Sequence, residues 1–317
     1  MGDIRVSSVN AGDILGDGTA KYNGDDSTGT LTLDGAVITE GHVYDREKGL
    51  SAGITSQLGG ELRIVVKGDS TVNVNGAYGI QSAGALTISG GERLTVWGGQ
   101  AISCGGNLTI QSADVTAVAN GSGDGITAGG NLVISDSTVA AAGKDRGLGA
   151  AQVTVSGADT VVNARATQSK GCAITASGGI TLNDGLGVVT PAGGRIGEGK
   201  ILGRDGKAAR EAVISRLALY DVWVGEAQAT SANCADVLGN GQVSYNPDAR
   251  TLYFYREHPR HFRQQRQRPD PSGGRPDRRR AHRRADAEQY PREYRHQRQR
   301  RPDPVRRHDR QGEEPGR

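Results

Sequence analysis

The chain has 317 residues, 49 of them glycine, with 38 Lys and Arg against 35 Asp and Glu and a formal net charge of +3. Glycine shows no strict three-residue period, which excludes a collagen triple helix, and three cysteines are too few for a disulfide scaffold. No apolar stretch approaches the roughly 20 residues that a membrane-spanning helix needs.

Residues 1–26 read as the start of a module and an N-terminal cap. Val6-Ser-Ser-Val-Asn-Ala-Gly-Asp-Ile-Leu-Gly-Asp-Gly18 recurs as Ala229-Thr-Ser-Ala-Asn-Cys-Ala-Asp-Val-Leu-Gly-Asn-Gly241. Tyr22-Asn23 returns as Tyr245-Asn246 and Thr30-Leu31 as Thr251-Leu252. The second copy is preceded by Tyr220-Asp-Val-Trp-Val-Gly225, for which the first copy has only Asp3-Ile4-Arg5. Met1 is therefore not expected to be the biological start, and the missing secretion signal carries no weight.

From residue 27 to 205 one short pattern repeats. Its first anchors are Ile54, Ile80, Ile102, Ile126, Leu148 and Ile174. The second are Leu62/Ile64, Leu86/Ile88, Leu108/Ile110, Leu132/Ile134, Val153/Val155 and Ile180/Leu182. The third are Val72/Val74, Leu94/Val96, Val115, Val139, Val161 and Val188. Alternating β-branched and aliphatic residues indicate strands, and the Gly, Asn, Asp and Ser pairs between them indicate turns. A period in the low twenties makes each repeat a unit that buries its apolar face only against its neighbours. Three short strands per repeat predict a right-handed parallel β-helix, with equivalent residues stacked about 4.8 Å apart. Absence of a 3.6-residue period argues against a leucine-rich repeat.

Residues 206–254 are expected to end the solenoid and open a second, truncated module. Beyond 255 the composition changes. Residues 256–317 hold 20 Arg, 10 acidic residues, no Lys, Ile or Leu, and one valine, Val305. This reads as a disordered basic tail. As a genuine arm it would bind nucleic acid or another acidic polymer. The preferred reading is an out-of-frame translation. Read one base later, the codons of Gln265–Pro271 permit Asn-Gly-Asn-Gly-Pro-Thr, and those of Ala281–Tyr290 permit Leu-Thr-Val-Ala-Leu-Thr-Leu-Asn-Asn.

The stretches Gly84-Ala-Leu-Thr-Ile-Ser-Gly-Gly91, Gly106-Asn-Leu-Thr-Ile110 and Gly123-Asp-Gly-Ile-Thr-Ala-Gly-Gly-Asn-Leu-Val-Ile134 resemble secreted carbohydrate-binding parallel β-helix proteins of bacteria, with a pectin-lyase-like fold. The likeness covers about residues 3 to 254. It implies an extracellular or cell-surface location and an acidic or cellulosic polysaccharide as partner, with calcium as a possible cofactor.

Candidate chemistry is sparse. Cys104 and Cys172 lie near anchors three coils apart, about 14 Å of axial rise, too far for a disulfide. His42 is the only histidine outside the tail, so no nucleophilic triad assembles. Asp114, Asp136 and Asp159 precede third strands, where Asp commonly bonds its own turn. A turn calcium site is the alternative role for them. No catalytic residue is assigned.

The binding candidates form one outward column and a second stack that flanks it. Two residues before each anchor stand Ala52, Tyr78, Gln100, Asp124, Arg146 and Cys172; one after stand Thr55, Gln81, Ser103, Thr127, Gly149 and Thr175. Stacked at one rung per coil, Tyr78, Gln81, Gln100, Ser103, Asp124, Thr127 and Arg146 would match the spacing of sugar units along an extended glycan. The expected role is non-catalytic polysaccharide binding. A ligand-free adhesin stalk and a polysaccharide lyase remain as alternatives.

Overall fold

A computed structural model describes residues 4–25 and 27–255, and every helix-or-strand element among them is a β-strand. An antiparallel hairpin, β1 (Ala20–Gly24) and β2 (Gly29–Asp34), opens the chain, followed by β3 (Val37–Ile38) and β4 (His42–Asp45). Three-strand coils come next. The first is β5 (Leu50–Ser56), β6 (Glu61–Gly68) and β7 (Ser70–Asn73); the second is β8 (Tyr78–Ser82), β9 (Ala85–Ser89) and β10 (Arg93–Gly98). The third is β11 (Gln100–Cys104), β12 (Leu108–Gln111) and β13 (Asp114–Ala119). The fourth is β14 (Ile126–Ala128), β15 (Asn131–Ser135) and β16 (Thr138–Gly143); the fifth is β17 (Arg146–Ala150), β18 (Gln152–Ser156) and β19 (Val161–Ala166). A sixth begins with β20 (Cys172–Ala176), β21 (Ile180–Leu182) and β22 (Leu186–Thr190). The chain then runs through β23 (Arg195–Gly197), β24 (Lys200–Leu202) and β25 (Glu211–Arg216), and ends in two hairpins, β26 (Leu219–Val224) with β27 (Ala227–Thr230) and β28 (Val243–Asn246) with β29 (Thr251–Phe254).

The first strands of successive coils pair in parallel into one sheet, the second strands into another and the third strands into another. This is a parallel β-solenoid, as the repeat predicts. The first anchors are directly opposite one another, Ile54 on Ile80, Ile102, Ile126, Leu148 and Ile174 in turn. Leu62, Leu86, Leu108, Leu132, Val153 and Ile180 do the same in the second sheet. All these side chains are buried in one continuous core. Burying one such aliphatic side chain contributes about 1.5–3 kcal/mol, so the ladders, not hydrogen bonds alone, hold the coils together.

The third sheet departs from the expected anchors. Leu94 faces Ser70, and Val96 faces Val72. Val162, not Val161, continues the core from Val139; Val161 falls opposite Thr138, on the outer side. Adjacent residues of a strand point to opposite faces, so only one of two neighbouring valines can enter the core, and composition alone does not say which. Val188 does not stack on β19 at all. β25 enters antiparallel between β19 and β22, with Ile214 opposite both Val162 and Val188. The six recurrences are therefore five complete coils and a sixth whose third strand is displaced by a closing strand.

The Gly-Ile signature also acquires a cause. Gly79 and Ile80 are both buried, an interruption of simple alternation at the corner between the first and third sheets. A Cβ on Gly79 would be 2.3 Å from Val96 Cγ1, and one on Gly53 would be 2.5 Å from Val72 Cγ1. In the third coil the corresponding residues are Ala101 and Ala117, both buried. At the turn into the third strands, Gly90, Ser112, Asp136, Gly157 and Asp184 all have left-handed backbone, with φ between 49° and 111°. Gly, Asp and Ser recur there because bulkier residues resist that conformation.

All three cysteines are free thiols. Cys104 takes the inward place occupied by Ser82 one coil earlier and Ala128 one coil later. Its Sγ lies 3.1 Å from the Gly84 carbonyl and 3.2 Å from that of Asn107, and burial pushes its pKa up.

The duplicated segments fold alike. Tyr22 N–H donates to the Ala11 carbonyl and Tyr245 N–H to the Cys234 carbonyl, both at 2.7 Å. Asn10 Oδ1 accepts from Ser7 N at 2.7 Å, and Asn233 Oδ1 from Thr230 N at 2.6 Å. The second copy is held against the solenoid by Arg204, whose guanidinium lies 2.9 Å from the buried Asp236 carboxylate, and by the Gly193 N–H to Ala232 carbonyl bond. The expected disordered, out-of-frame tail lies, from residue 256 onward, outside the described residues.

Candidate functional site

Six of the seven binding candidates, Tyr78, Gln81, Gln100, Ser103, Thr127 and Arg146, lie partly exposed on strands of the first sheet, whereas Asp124 is buried in the turn that precedes β14. Tyr78 is paired with Gln100, and Gln81 with Ser103 and, through it, Thr127. β4 extends one column, because His42 pairs with Ala52, which pairs with Tyr78. These paired rungs are set by the parallel register beneath them, while Asp124 is placed by its turn and by its bonds to Arg146.

Several rungs bond one another. Thr55 Oγ1 donates to Gln81 Oε1 at 3.0 Å, and the Gln100 amide donates to the Thr127 hydroxyl. Asp124 is nearly buried. Its carboxylate accepts from Arg146 Nε at 3.0 Å and Nη2 at 2.7 Å, while its other oxygen accepts from the Arg146 backbone N–H at 2.9 Å. The Arg146 side chain lies across Gly149, where a Cβ would be 3.2 Å from the guanidinium. Glycine replaces the usual Thr, Gln or Ser at this rung because the arginine occupies that space. Removing the arginine leaves a nearly buried carboxylate with one donor. Arg146→Ala is expected to cost about 1–3 kcal/mol, whereas Gly149→Ser should cost less because Arg146 remains half-exposed and can swing outward. Urea unfolding of the two variants measures the difference.

Tyr44, on β4, is a member of this face that the repeat pattern does not reveal. Burial raises its phenol pKa, and the neighbouring Tyr78 and Asp45 add to the effect. Two phenols thus stand at the N-terminal end of the polar ladder.

Two depressions lie elsewhere. A groove of about 310 Å³ on the third sheet has a floor of Ala140, Ala142 and Val213 and is bordered by Asn163, Arg165 and Glu211. A polar cleft of about 520 Å³ lies beside the first hairpin, lined by Asn23, Asp25, Thr30, Glu61 and Arg63. In that cleft Glu61 accepts from Thr87 Oγ1 at 2.6 Å and from Arg63 Nε at 2.8 Å. These bonds, Thr87 first, lower its pKa below the usual 4.5. A depressed carboxylate pKa adds stability above the unfolded-state value, and that stability is lost as pH falls through the folded value. Thr87→Val should therefore cost about 1 kcal/mol at neutral pH, with the gap from wild type closing below pH ~4. Unfolding curves across that range provide the test.

Asp114 does not cap its own turn; it is bridged by Arg93 Nε of the preceding coil at 3.0 Å. Asp136 adopts the left-handed turn position, and Asp159 is exposed. Among the described residues no group of three His, Cys, Asp or Glu side chains is arranged to hold a metal ion, and no helix is long and apolar enough to cross a membrane.

Comparison with protein-family models, with curated proteins and with solved structures gave no match.

Proposed function

We propose that this chain is a non-catalytic, extracellular module that binds a polysaccharide lengthwise on the first sheet. The supporting observation is the in-register pairing of Tyr78 with Gln100 and of Gln81 with Ser103 and Thr127, one rung per coil, with the Asp124–Arg146 ion pair beside them. Amide and hydroxyl groups suit sugar hydroxyls, and the two phenols supply an aromatic surface for a sugar ring. Asp124 and Arg146 neutralise each other, so the face favours an uncharged, cellulose-like chain over a uronate polymer.

Affinity electrophoresis against cellulosic, mannan and pectic polymers, with calcium or with chelator, tests this reading. Retention of a neutral glycan, weakened at least about tenfold by Tyr78→Ala without loss of folding, is the expected result. If no polymer is retained in either condition, the reading fails. Calcium-dependent release of unsaturated sugars from pectin would instead indicate a lyase. Steeply salt-dependent nucleic-acid binding, abolished by deleting 256–317, would indicate a basic arm.

A ligand-free stalk is the second reading. It is favoured by the bonds within the ladder itself and by the duplicated cap, which suits a tandem array.

A further inference from the structure

The second cap, residues 229–246, repeats the hydrogen bonds of the first, residues 6–23. Asn10 Nδ2 donates to the Arg5 carbonyl at 3.0 Å, and Asn233 Nδ2 to that of Gln228 at 2.9 Å. Ile14 N–H donates to the Ala20 carbonyl and Val237 N–H to that of Val243, both at 2.8 Å. An aspartate closes the same loop in each: Gly18 N–H donates to Asp13 at 3.0 Å and Gly241 N–H to Asp236 at 2.8 Å. The two caps therefore present the same groups in the same arrangement, but their surroundings differ.

The second cap lies against the closing end of the solenoid. Its Asp236 side chain is 1% exposed, with Arg204 Nη1 2.9 Å away; a carboxylate this deeply buried needs a cation. Gly193 N–H donates to the Ala232 carbonyl at 3.0 Å, and Ser231 N–H to the Ala218 carbonyl at 2.9 Å. Ser231 Oγ in turn accepts from Ala218 N–H at 3.0 Å. Gly193 and Arg204 form one grip. Gly193 has φ 69°, and a Cβ there would be 3.1 Å from Arg204 Nε.

On the first cap the same positions are open. Ser7, Ser8, Val9 and Asp13 are exposed, whereas their equivalents Thr230, Ser231 and Ala232 are half-buried and Asp236 is buried. Val9 is 94% exposed, more than any other large apolar side chain among the described residues. Among those residues the Asp13 side chain accepts only from the N–H groups of Gly16 and Gly18, at 2.9 and 3.0 Å. The contact groups are nevertheless kept. Ser8 matches Ser231 and Asp13 matches Asp236, Ser7 keeps the hydroxyl of Thr230, and Val9 replaces Ala232 where the contact is a backbone carbonyl.

We infer that the face formed by Ser8, Val9 and Asp13 is a docking site for the closing end of another solenoid of this build. Its occupant places an arginine on Asp13 and a backbone amide on the Val9 carbonyl, as Arg204 and Gly193 do on the second cap. The two surfaces are different, so the contact is heterologous and joins modules head to tail. One ion pair and a few hydrogen bonds hold separate molecules poorly, but suffice where a chain connection raises the effective concentration. The inference goes beyond polysaccharide binding and does not depend on it.

The test grafts residues 6–23 in place of residues 229–246 in the full chain and follows amide hydrogen exchange. Gly193 should exchange within about tenfold of its rate in the parent chain, and Arg204→Ala should accelerate it at least about tenfold in both proteins. Exchange of Gly193 at the unprotected rate, while the amide of the grafted Tyr22 stays protected, overturns the inference. So does a Gly193 rate in the graft that does not respond to Arg204→Ala. If the grafted cap does not fold, Thr230→Ser combined with Ala232→Val puts the first cap's docking residues on the resident cap. Protection of Gly193 in that variant then supports the inference, and its loss overturns it. No glycan enters either readout, so failure here is distinct from failure of polysaccharide binding.

Discussion

Gly79→Val is expected to destabilise the second coil by about 3 kcal/mol, near the upper end of ordinary overpacking costs. The first added carbon would already be 2.3 Å from Val96 Cγ1 and 2.5 Å from the Ala101 carbonyl oxygen. The repeats themselves indicate how that space is shared. Gly53 faces Val72 and Gly79 faces Val96, whereas the third coil holds Ala101 and Ala117 at the equivalent positions. Large-with-none and small-with-small are two fillings of one corner at similar total volume. Gly79→Ala alone should cost about 1–2 kcal/mol, and Val96→Ala alone about 1–3 kcal/mol from the cavity it leaves. Together they recreate the third coil's pair, so the double variant should recover at least about 1 kcal/mol relative to the sum of the singles. Urea unfolding of the four proteins closes the cycle. Strict additivity would mean that the corner is not the shared volume described here.

Such corners also show what a sequence reveals of this fold. Ile80, Ile102 and Leu86 were legible because a repeated residue must occupy a repeated place. The glycine before Ile80 was legible as a signature but not as a packing constraint, since its partner Val96 is 17 positions away on another sheet. Val161 against Val162 was undecidable from pattern, because both are apolar and register alone separates them. The candidate binding column was legible for the same reason as the core: outward residues share the register of inward ones. The Asp124–Arg146 pair could have been read as well, since both occupy one column in neighbouring coils, and Gly149 breaks the polar ladder where the arginine lies. Tyr44 could not. β4 joins the sheet antiparallel and outside the repeat, so no period points to it.

The closing strand was the least legible element, and its removal should have the second large effect. Glu211-Ala-Val-Ile-Ser-Arg216 alternates like any strand, and nothing local states that it inserts antiparallel between β19 and β22. Its position has a clear physical function. An open parallel edge on β19 would offer unpaired amides and carbonyls to another molecule; β25 occupies that edge and carries Ile214, fully buried, against Val162 and Val188. Ile214→Ala should cost about 2–5 kcal/mol, and Ile214→Asp more, because a carboxylate would be buried without a partner. A solenoid distributes such a loss unevenly, since each coil contacts only its neighbours. Hydrogen exchange should therefore accelerate first in β19, β20 and β22, less in β14, and least in β5 to β10. Unfolding should lose its single-step form as the C-terminal coils open before the rest. Uniform acceleration across all coils would instead show that the solenoid unfolds as one unit, with β25 stabilising it globally rather than closing one end.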